Sequence, residues 1–524
     1  MIMKRQAMIA ALEARSAQQW DVCIIGGGAT GLGVAVDAAS RGFSTLLLEQ
    51  YDFSKGTSSR ATKLVHGGVR YLQQGNIKLV MEALHERGIL RRNAPHLVKD
   101  QSFIVPNYKW WEGPYYGIGL KVYDWMAGSL GLGSSRLLSR EETLQMAPTL
   151  DAEGLRGGVL YHDGQFDDAR LAIHLAQTAA REGAVLLNYC RVDGFVKTAG
   201  EVSGVRATDV FSGVEHTIHA KVVINATGVF TDAVLRMDDA ACESIIAPSQ
   251  GVHLMLDKDF LPGEAAILVP HTDDGRVLFA VPWHDRIIIG TTDTPVTNVE
   301  AEPRALPEEI NFILGQIGRY LRKVPTYADI RSVYAGLRPL VKSSSRKTAE
   351  LARDHLIVVS DSGLVTITGG KWTTYRRMAE DTVNTAIARG KLADRPCVTA
   401  TLPIYGAMVV NFDDPQHYHG TDAAAIRELG SVNPEWGMKL HPRLPYIWAE
   451  IVWAAREELC MTVEDALSRR TRSLLLDAAA AIECAEPVAA LLAAELGRDV
   501  EWQRQQVDEF KALAAGYFAS VPGI

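Results

Sequence analysis

Apolar and polar positions divide the chain before any motif is considered. Residues 21–25 are almost continuously apolar, residues 29–41 carry a helical period that stops at Gly42, and residues 43–48 are apolar again. A buried strand, a helix and a second strand are therefore predicted, the opening of a βαβ unit. Asp167 stands where a cap is expected for a helix over 168–181, Gly183 ends it, and AVLLN reads as a further strand. The paired acids of DDAR at 167–170 are read as capping residues. KVVINATG, residues 221–228, is a β-branched strand running into a small-residue turn.

Between about 248 and 340 the segments HLML, AILVP, RVLFAVPW and RIIIGTT predict an antiparallel sheet, a second domain inserted in the first. HLIVVSDSGLVTITGGKWTTYRRMAEDTVNTAIARG returns to strand, glycine turn and helix and closes the first domain. Beyond about residue 400 strand patterns disappear and helices are predicted, one with a Thr462/Asp465 pair resembling a capping box. Two stretches fit neither period. Residues 51–80 are too polar and glycine-punctuated for a core element and are placed against a ligand. KWWEGPYYGIGLKVYDWMAG is aromatic and glycine-rich and reads as an irregular packed layer.

Composition narrows the class. A chain of 524 residues with 47% hydrophobic and 22% charged positions can bury a large core without staples. The net charge of −8 offers nothing to a polyanion, so nucleic acid is not an expected partner. Six scattered cysteines form no CxxC pair, and neither a disulfide framework nor a metal site is expected. The first twenty residues lack the apolar core of a signal peptide, and no apolar run is long enough to span a bilayer.

Gly26, Gly28 and Gly31 fit GxGxxG, placed between a strand and a helix that starts at Ala29 and Thr30. The first glycine permits the turn, the second lets the backbone approach a pyrophosphate, and the third lets helix pack on strand. The helix N-terminus adds free N–H groups and partial positive charge. Glu49 ends the next strand, where a carboxylate accepts from ribose hydroxyls and repels a 2′-phosphate. Three further small-residue turns argue for a cofactor longer than nicotinamide dinucleotides require: His66-Gly67-Gly68, Ala226-Thr227-Gly228, and the TGGKWTT turn with Gly370, Lys371 and Thr373. FAD is the reading these favour, since a helix dipole aimed at a flavin favours the charge it gains on reduction.

In this order the segments IGGGATG, TSSRATKLVHGGVRYL, DDARL, NATG, VPWHDRIIIGTTD, YAGLRPL, ARDH and GGKWTTYRR resemble the FAD-dependent, quinone-linked glycerol-3-phosphate dehydrogenases of the aerobic type. The resemblance covers about residues 21–400, and VEDALSRRTR resembles the family's C-terminal helical region. It implies an α/β fold with a Rossmann-like FAD-binding domain (1–75, 150–230 and 355–395), an antiparallel-sheet substrate domain (76–149 and 231–354) and a C-terminal all-helical cap (400–524). It implies oxidation of sn-glycerol 3-phosphate to dihydroxyacetone phosphate, with electrons delivered to membrane quinone. FAD contacts fall on the residues named above and on Thr57, Ser58, Ser59 and Lys63. Val229-Phe230 and Trp372 depart from the usual residues, which bears on pocket shape more than on chemistry. No EF-hand loop is present, so calcium regulation is not expected.

Arg70, Arg338, Arg353 and Lys371 lie in separate glycine-rich, apolar segments, an arrangement that suits a phosphomonoester dianion. The resemblance assigns them to substrate, with Tyr71 beside Arg70. Hydride leaving C2 for flavin N5 also requires a base for the hydroxyl proton. His66 and His253 are candidates; His253 is preferred, with Lys371 or Arg338 polarising the hydroxyl. Delivery to quinone without a spanning helix predicts peripheral contact with the cytoplasmic face of the inner membrane, through Lys4 and Arg5 or the Arg469, Arg470, Arg472 cluster. A homodimer is compatible with the resemblance. Rival readings are another polyol phosphate such as a tetritol phosphate, an oxygen-using oxidase, and a flavin-binding module without turnover.

Overall fold

The computed structural model describes residues 3–68, 76–342 and 355–519. Helix α1 (Arg5–Glu13) precedes strand β1 (Trp20–Ile25), helix α2 (Ala29–Ser40) and strand β2 (Thr45–Leu48). After a long loop come the two-residue strand β3 (Leu64–Val65), helix α3 (Ile77–Asn93), strand β4 (Lys99–Asn107), helix α4 (Glu112–Ala127), and strands β5 (Arg136–Ser139) and β6 (Gly157–Gln165). Helix α5 (Asp168–Arg181) leads through β7 (Val185–Leu187), β8 (Cys190–Thr198) and β9 (Glu201–Asp209) to β10 (Glu215–Asn225). Strands β11 (Ile246–Asp257), β12 (Ala266–Val269), β13 (Leu278–Trp283), β14 (Arg286–Gly290) and β15 (Thr294–Pro295) are followed by helix α6 (Pro307–Gly318) and β16 (Ile330–Val341). The chain then returns through β17 (His355–Val359), β18 (Val365–Gly369) and helix α7 (Tyr375–Gly390) to the terminal helices, among them α8 (Ala478–Leu496) and α9 (Val500–Ala514).

Two sheets organise these elements. The first runs β17-β18-β10-β1-β2-β7, parallel from β18 to β7, with Cys23 registered between Leu46 and Val223. Its central strands are buried on both faces, as a parallel sheet covered by α2, α5 and α7 requires. The second runs β15-β11-β14-β13-β12-β4-β6-β3, with β16 on β11 and β5 on β6; among the described residues its one parallel contact is β4 with β12. Its face under α6 is a separate core of Ile104, Leu254, Ile267 and Ile289 packed on Ile313 and Ile317. Residues 157–165, grouped with the nucleotide domain from the sequence, pair with β4 in the second sheet. Leu64 and Val65, inside the stretch read as too polar for core, also join that sheet, because Lys63 beside them is neutralised by a buried partner.

The aromatic segment read as an irregular layer contains the four-turn helix α4. Thr462 and Asp465 do form a reciprocal cap: Asp465 N donates to Thr462 Oγ1 at 3.1 Å and Thr462 N to Asp465 Oδ2 at 3.1 Å. The turn they start is a π-helix, Asp465–Arg470. Arg469, Arg470 and Arg472, expected to face lipid, are each 2% exposed and point into the molecule. Arg470 holds Asp52 in a fork (2.7 and 2.8 Å), Arg469 reaches the same carboxylate at 2.6 Å, and Arg472 donates to Asp168 at 3.1 Å. Arg5 is likewise spent on Asp209, at 2.5 Å, leaving Lys4 exposed. All six cysteines are free thiols.

Candidate active site

A cleft of about 430 Å³ runs from the β1–α2 turn to strands β11 and β16. At its nucleotide end Gly26 has φ +108° and its N–H donates to Leu48 O, while Ala226 N donates to Ile25 O at 2.9 Å. A Cβ on Gly31 would collide with the Gly26 carbonyl oxygen, so Gly31 lies outside the cleft and serves the close turn instead. Gly28, Ala29 and Thr30 at the start of α2 line the cleft, and Ser58 Oγ accepts from Ala29 N at 2.9 Å. Glu49 also lines it. Its Oε2 accepts from Gly27 N at 2.6 Å and Oε1 from Tyr51 N at 2.8 Å, so it both shapes the turn and keeps lone pairs for ribose hydroxyls.

Remote segments meet further along. Thr57 Oγ1 donates to Leu337 O at 2.5 Å, Trp372 Nε1 donates to Ser58 O at 2.8 Å, and His66 N donates to Thr373 Oγ1 at 3.3 Å. Trp372, a departure from the family pattern, thus fixes the 57–59 turn. Gly369 and Gly370 have φ +79° and +70°, and a side chain on Gly370 would strike Met378, which lets the turn present backbone to the cleft. Thr57, Ser58, His66, Ala226, Thr227, Gly228, Gly370, Lys371 and Thr373 all line it. This cradle fits FAD: the backbone-lined start of α2 suits a pyrophosphate, and the glycine turns leave room for a flat ring.

Other expected contacts lie elsewhere. Gly67 packs under Tyr123 and Leu84, and neither it nor Gly68 lines the cleft. Ser59 and Lys63 are set behind it: Lys63, at φ +64°, donates to Asp168 Oδ2 at 2.7 Å and to Ser59 O at 2.8 Å. Its ammonium is 5.2 Å from the Tyr334 ring centroid. Burial lowers the Lys63 pKa to about 8 against the opposing pull of Asp168. Arg70, Tyr71 and Arg353 fall outside the described residues.

Strands β11 and β16 build the floor at the far end. Their register sets His253 opposite Tyr334, Gly251 opposite Gly336 and Ser249 opposite Arg338. Residues two apart share a face, so the two glycines separate the His253–Tyr334 stack from Arg338, with Arg60 packed over Gly336. The rings of that stack are 4.9 Å apart and inclined by 12°. A Cβ on Gly251 would meet the Arg338 guanidinium. Arg338 lines the cleft with its side chain one-quarter exposed, held by Thr291 Oγ1 (2.9 Å), Thr292 O (3.1 Å) and Asp293 (3.3 Å).

His253 is buried, and its Nε2 lies 2.8 Å from Thr62 Oγ1. Its Nδ1 has no hydrogen-bond partner among the described residues. Burial, with Arg338 and Lys63 nearby, holds its pKa well below the usual histidine value, so the imidazole is neutral near pH 7. Donation of Nε2–H to Thr62 leaves Nδ1 with its lone pair, the form a proton acceptor needs.

Sequence reasoning missed three positions: Thr62, the partner of His253; Arg60, which lines the cleft and is forked to Glu302 at 2.7 Å; and Asp168, which accepts from Ala61 N, Lys63 and Arg472. Asp167 caps α5 through Arg170 N at 3.0 Å, and Asp168 Oδ1 accepts in addition from Ala169 N at 2.8 Å. One acid more than a cap needs was the available signal.

The FAD dependent oxidoreductase family matches residues 21–376, and the C-terminal domain of alpha-glycerophosphate oxidase matches residues 368–505. The mitochondrial glycerol-3-phosphate dehydrogenase of Macaca fascicularis is 42% identical, over 97% of this chain and 74% of its own length. That of Schizosaccharomyces pombe is 37% identical, over 96% and 88%. A Bacillus halodurans glycerol-3-phosphate dehydrogenase solved with FAD superposes with a TM-score of 0.80 at 30% identity, covering 99% of this chain and 98% of that one. The L-alpha-glycerophosphate oxidase of Mycoplasma pneumoniae, at 16% identity and TM-score 0.58, shares the fold.

Proposed function

The chain belongs to the FAD-dependent glycerol-3-phosphate dehydrogenase family, and from that premise we propose how its cleft carries out the family's oxidation. The protein is an FAD-dependent oxidoreductase that converts sn-glycerol 3-phosphate to dihydroxyacetone phosphate. FAD, when bound, supplies the hydride acceptor for C2 of the substrate. The start of α2, with Ser58 and Thr57 beside it, would hold the pyrophosphate of bound FAD, and Glu49 would hold its ribose. The ring region is bounded by His66, Gly370, Lys371 and Thr373.

The observation that carries the substrate reading is that His253 and Arg338 share one face of the β11–β16 pair and both line the cleft, with only glycines in register between them. A small polyol phosphate in the cleft would meet a base and a guanidinium together. Arg338 and Lys371 offer charge-assisted hydrogen bonds to its phosphate, together with Arg70, Tyr71 and Arg353 of the sequence reading. His253 takes the hydroxyl proton at Nδ1 while Thr62 holds its other nitrogen, and Arg338 or Lys371 polarises the hydroxyl. Because the stack with Tyr334 fixes the ring plane, proton removal needs no rotation of the base.

Electrons leave to a membrane quinone, with the protein bound peripherally to the cytoplasmic face of the inner membrane and paired as a homodimer. What supports an acceptor other than oxygen is that the relatives are named dehydrogenases rather than oxidases. The test is anaerobic. Glycerol 3-phosphate should bleach the flavin absorbance, and a short-chain quinone should restore it faster than oxygen does. Bleaching only by a longer polyol phosphate would move the substrate assignment, and faster recovery with oxygen would make the protein an oxidase.

A further inference from the structure

The loop between β2 and β3 lines the cleft through Lys55, Gly56, Thr57, Ser58, Arg60 and Thr62, yet it holds little structure of its own. Its longest regular piece is the single turn Thr57–Ser59, so side chains rather than a backbone ladder fix its course. Several of those side chains come from the C-terminal helical region, more than 400 residues away. Arg469 and Arg470 hold Asp52, and Arg472 donates to Ser59 O at 2.7 Å. Glu464 accepts from Lys55 Nζ at 2.5 Å and from Arg469 at 2.6 Å. Tyr517, near the end of the described chain, donates its O–H to Glu302 Oε1 at 2.7 Å, and Glu302 in turn is forked to Arg60 and lies 3.3 Å from Lys55.

We propose that Glu464 and Tyr517 are positioning residues for the cofactor: they hold this loop from behind, so that docking of the C-terminal helices and retention of FAD depend on each other. Neither residue lines the cleft. Each acts through one that does, Glu464 through Lys55, and Tyr517 through Glu302 to Arg60. Lys55 and Arg60 bracket Thr57 and Ser58 in sequence. Thr57 Oγ1 donates to Leu337 O, and Ser58 Oγ accepts from Ala29 N at the start of α2, so a shift of Lys55 or Arg60 shifts the groups beside the pyrophosphate end of the cleft.

A loop left to itself has to be ordered when its ligand binds, and fixing it beforehand removes that entropy cost from binding. The ionic network here is suited to fixing rather than to attracting, because its charges cancel. Lys55 lies between Glu302 and Glu464, Arg60 is forked to Glu302, and Arg469 lies between Glu464 and Asp52. The side chains of Arg60 and Arg469 are only 5% and 3% exposed. Cancelled, buried charges leave little net pull on a phosphate, so the effect of the C-terminal helices on the cofactor is geometric. Coupling of this kind is reciprocal, and bound FAD therefore stabilises the docked helices as much as they stabilise it.

The experiment follows release of FAD from the loaded protein, by recovery of free-flavin fluorescence on dilution. Glu464→Gln leaves Arg469 paired with Asp52, and Tyr517→Phe leaves Arg60 forked to Glu302. Each variant should release FAD about tenfold faster than wild type. Lys55→Met should do the same, and combined with Glu464→Gln it should be no faster than either alone, since both break one pair. Arg456→Gln, which breaks an ion pair to Glu495 within the C-terminal helices, should release FAD at the wild-type rate. Hydrogen exchange supplies the reciprocal test: removal of FAD should speed exchange over residues 462–472 as well as 52–60, and both variants should speed exchange over 52–60 with FAD bound. If Glu464→Gln fails to fold, Lys55→Met tests the same pair from the other side. Wild-type release rates in the variants, equal acceleration by Arg456→Gln, or exchange over 462–472 that ignores FAD overturns the proposal. The inference rests on FAD occupying the cleft: a wild type that takes up no FAD overturns that reading too, whereas FAD held equally by wild type and variants removes only the positioning role.

Discussion

Lys63 Nζ lies 2.7 Å from Asp168 Oδ2 with both side chains fully buried, and this pair ties the loop behind the cleft to the first turn of α5. Arg472 of the C-terminal region reaches the same carboxylate and donates to Ser59 O at 2.7 Å, so three separate segments depend on one acid. Asp168→Asn should therefore cost about 3–5 kcal/mol, because it takes the paired carboxylate from buried Lys63 and leaves buried Arg472 only Asp167, at 3.7 Å. Urea unfolding followed by flavin fluorescence checks this. A loss below 1 kcal/mol would mean that the pair does not hold the loop.

His253→Ala should slow anaerobic flavin reduction by roughly 10²–10⁴-fold while FAD stays bound. Because the imidazole is held neutral well below its usual range, the acid limb of the wild-type rate should lie below pH 6.5. Thr62→Val, which removes the partner of Nε2, should displace that limb. Rapid-mixing absorbance across pH provides the measurement, and an unchanged rate in His253→Ala at every pH would remove the residue from the reaction.

Arg338→Ala should weaken the handling of glycerol 3-phosphate by about 2–4 kcal/mol in kcat/KM, with the flavin spectrum intact. Gly251→Ala should harm turnover by another route, since its methyl group would strike the Arg338 guanidinium and the Thr291 hydroxyl and displace them. Steady-state kinetics with a soluble dye distinguish them: inorganic phosphate should inhibit Gly251→Ala more than Arg338→Ala.

Asp52 yields a pH prediction. Burial alone would raise its carboxyl pKa, but Arg470 and Arg469 together bring it down to about 2 from 3.8. A carboxylate whose folded pKa lies below its unfolded value stabilises the fold above the unfolded value and loses that contribution as pH falls through the folded one. The window is pH 4 to 2, and the contribution is roughly 2 kcal/mol. Asp52→Asn should be less stable than wild type at pH 6, and the gap should narrow as pH falls toward 2. A constant gap in urea midpoint would contradict the ion-pair account.

Much of the site was legible because it depends on local backbone chemistry. GxGxxG after a strand, the ATG turn and TGGK each call for glycine or small residues at fixed spacing, and these turns line the cleft as expected. The cations were harder. RRTR reads from sequence as a basic surface; besides the neighbouring Glu464 and Asp465, it is Asp52 and Asp168, more than 300 residues earlier, that make it an interior clamp. The same limit explains Lys63: its charge places it with the cofactor when its partner is unknown.

The sequence by itself determined the nucleotide turn, the alternation of its parallel sheet and the helical end of the chain, since these follow from period and turn chemistry within short windows. Tertiary structure alone decided which arginines are buried, that His253 and Arg338 share one face of the β11–β16 pair, and that the Trp125 side of α4 is exposed among the described residues. Those outcomes depend on pairing between remote segments, where a carboxylate or an open strand position hundreds of residues away fixes whether a charge or an indole faces water.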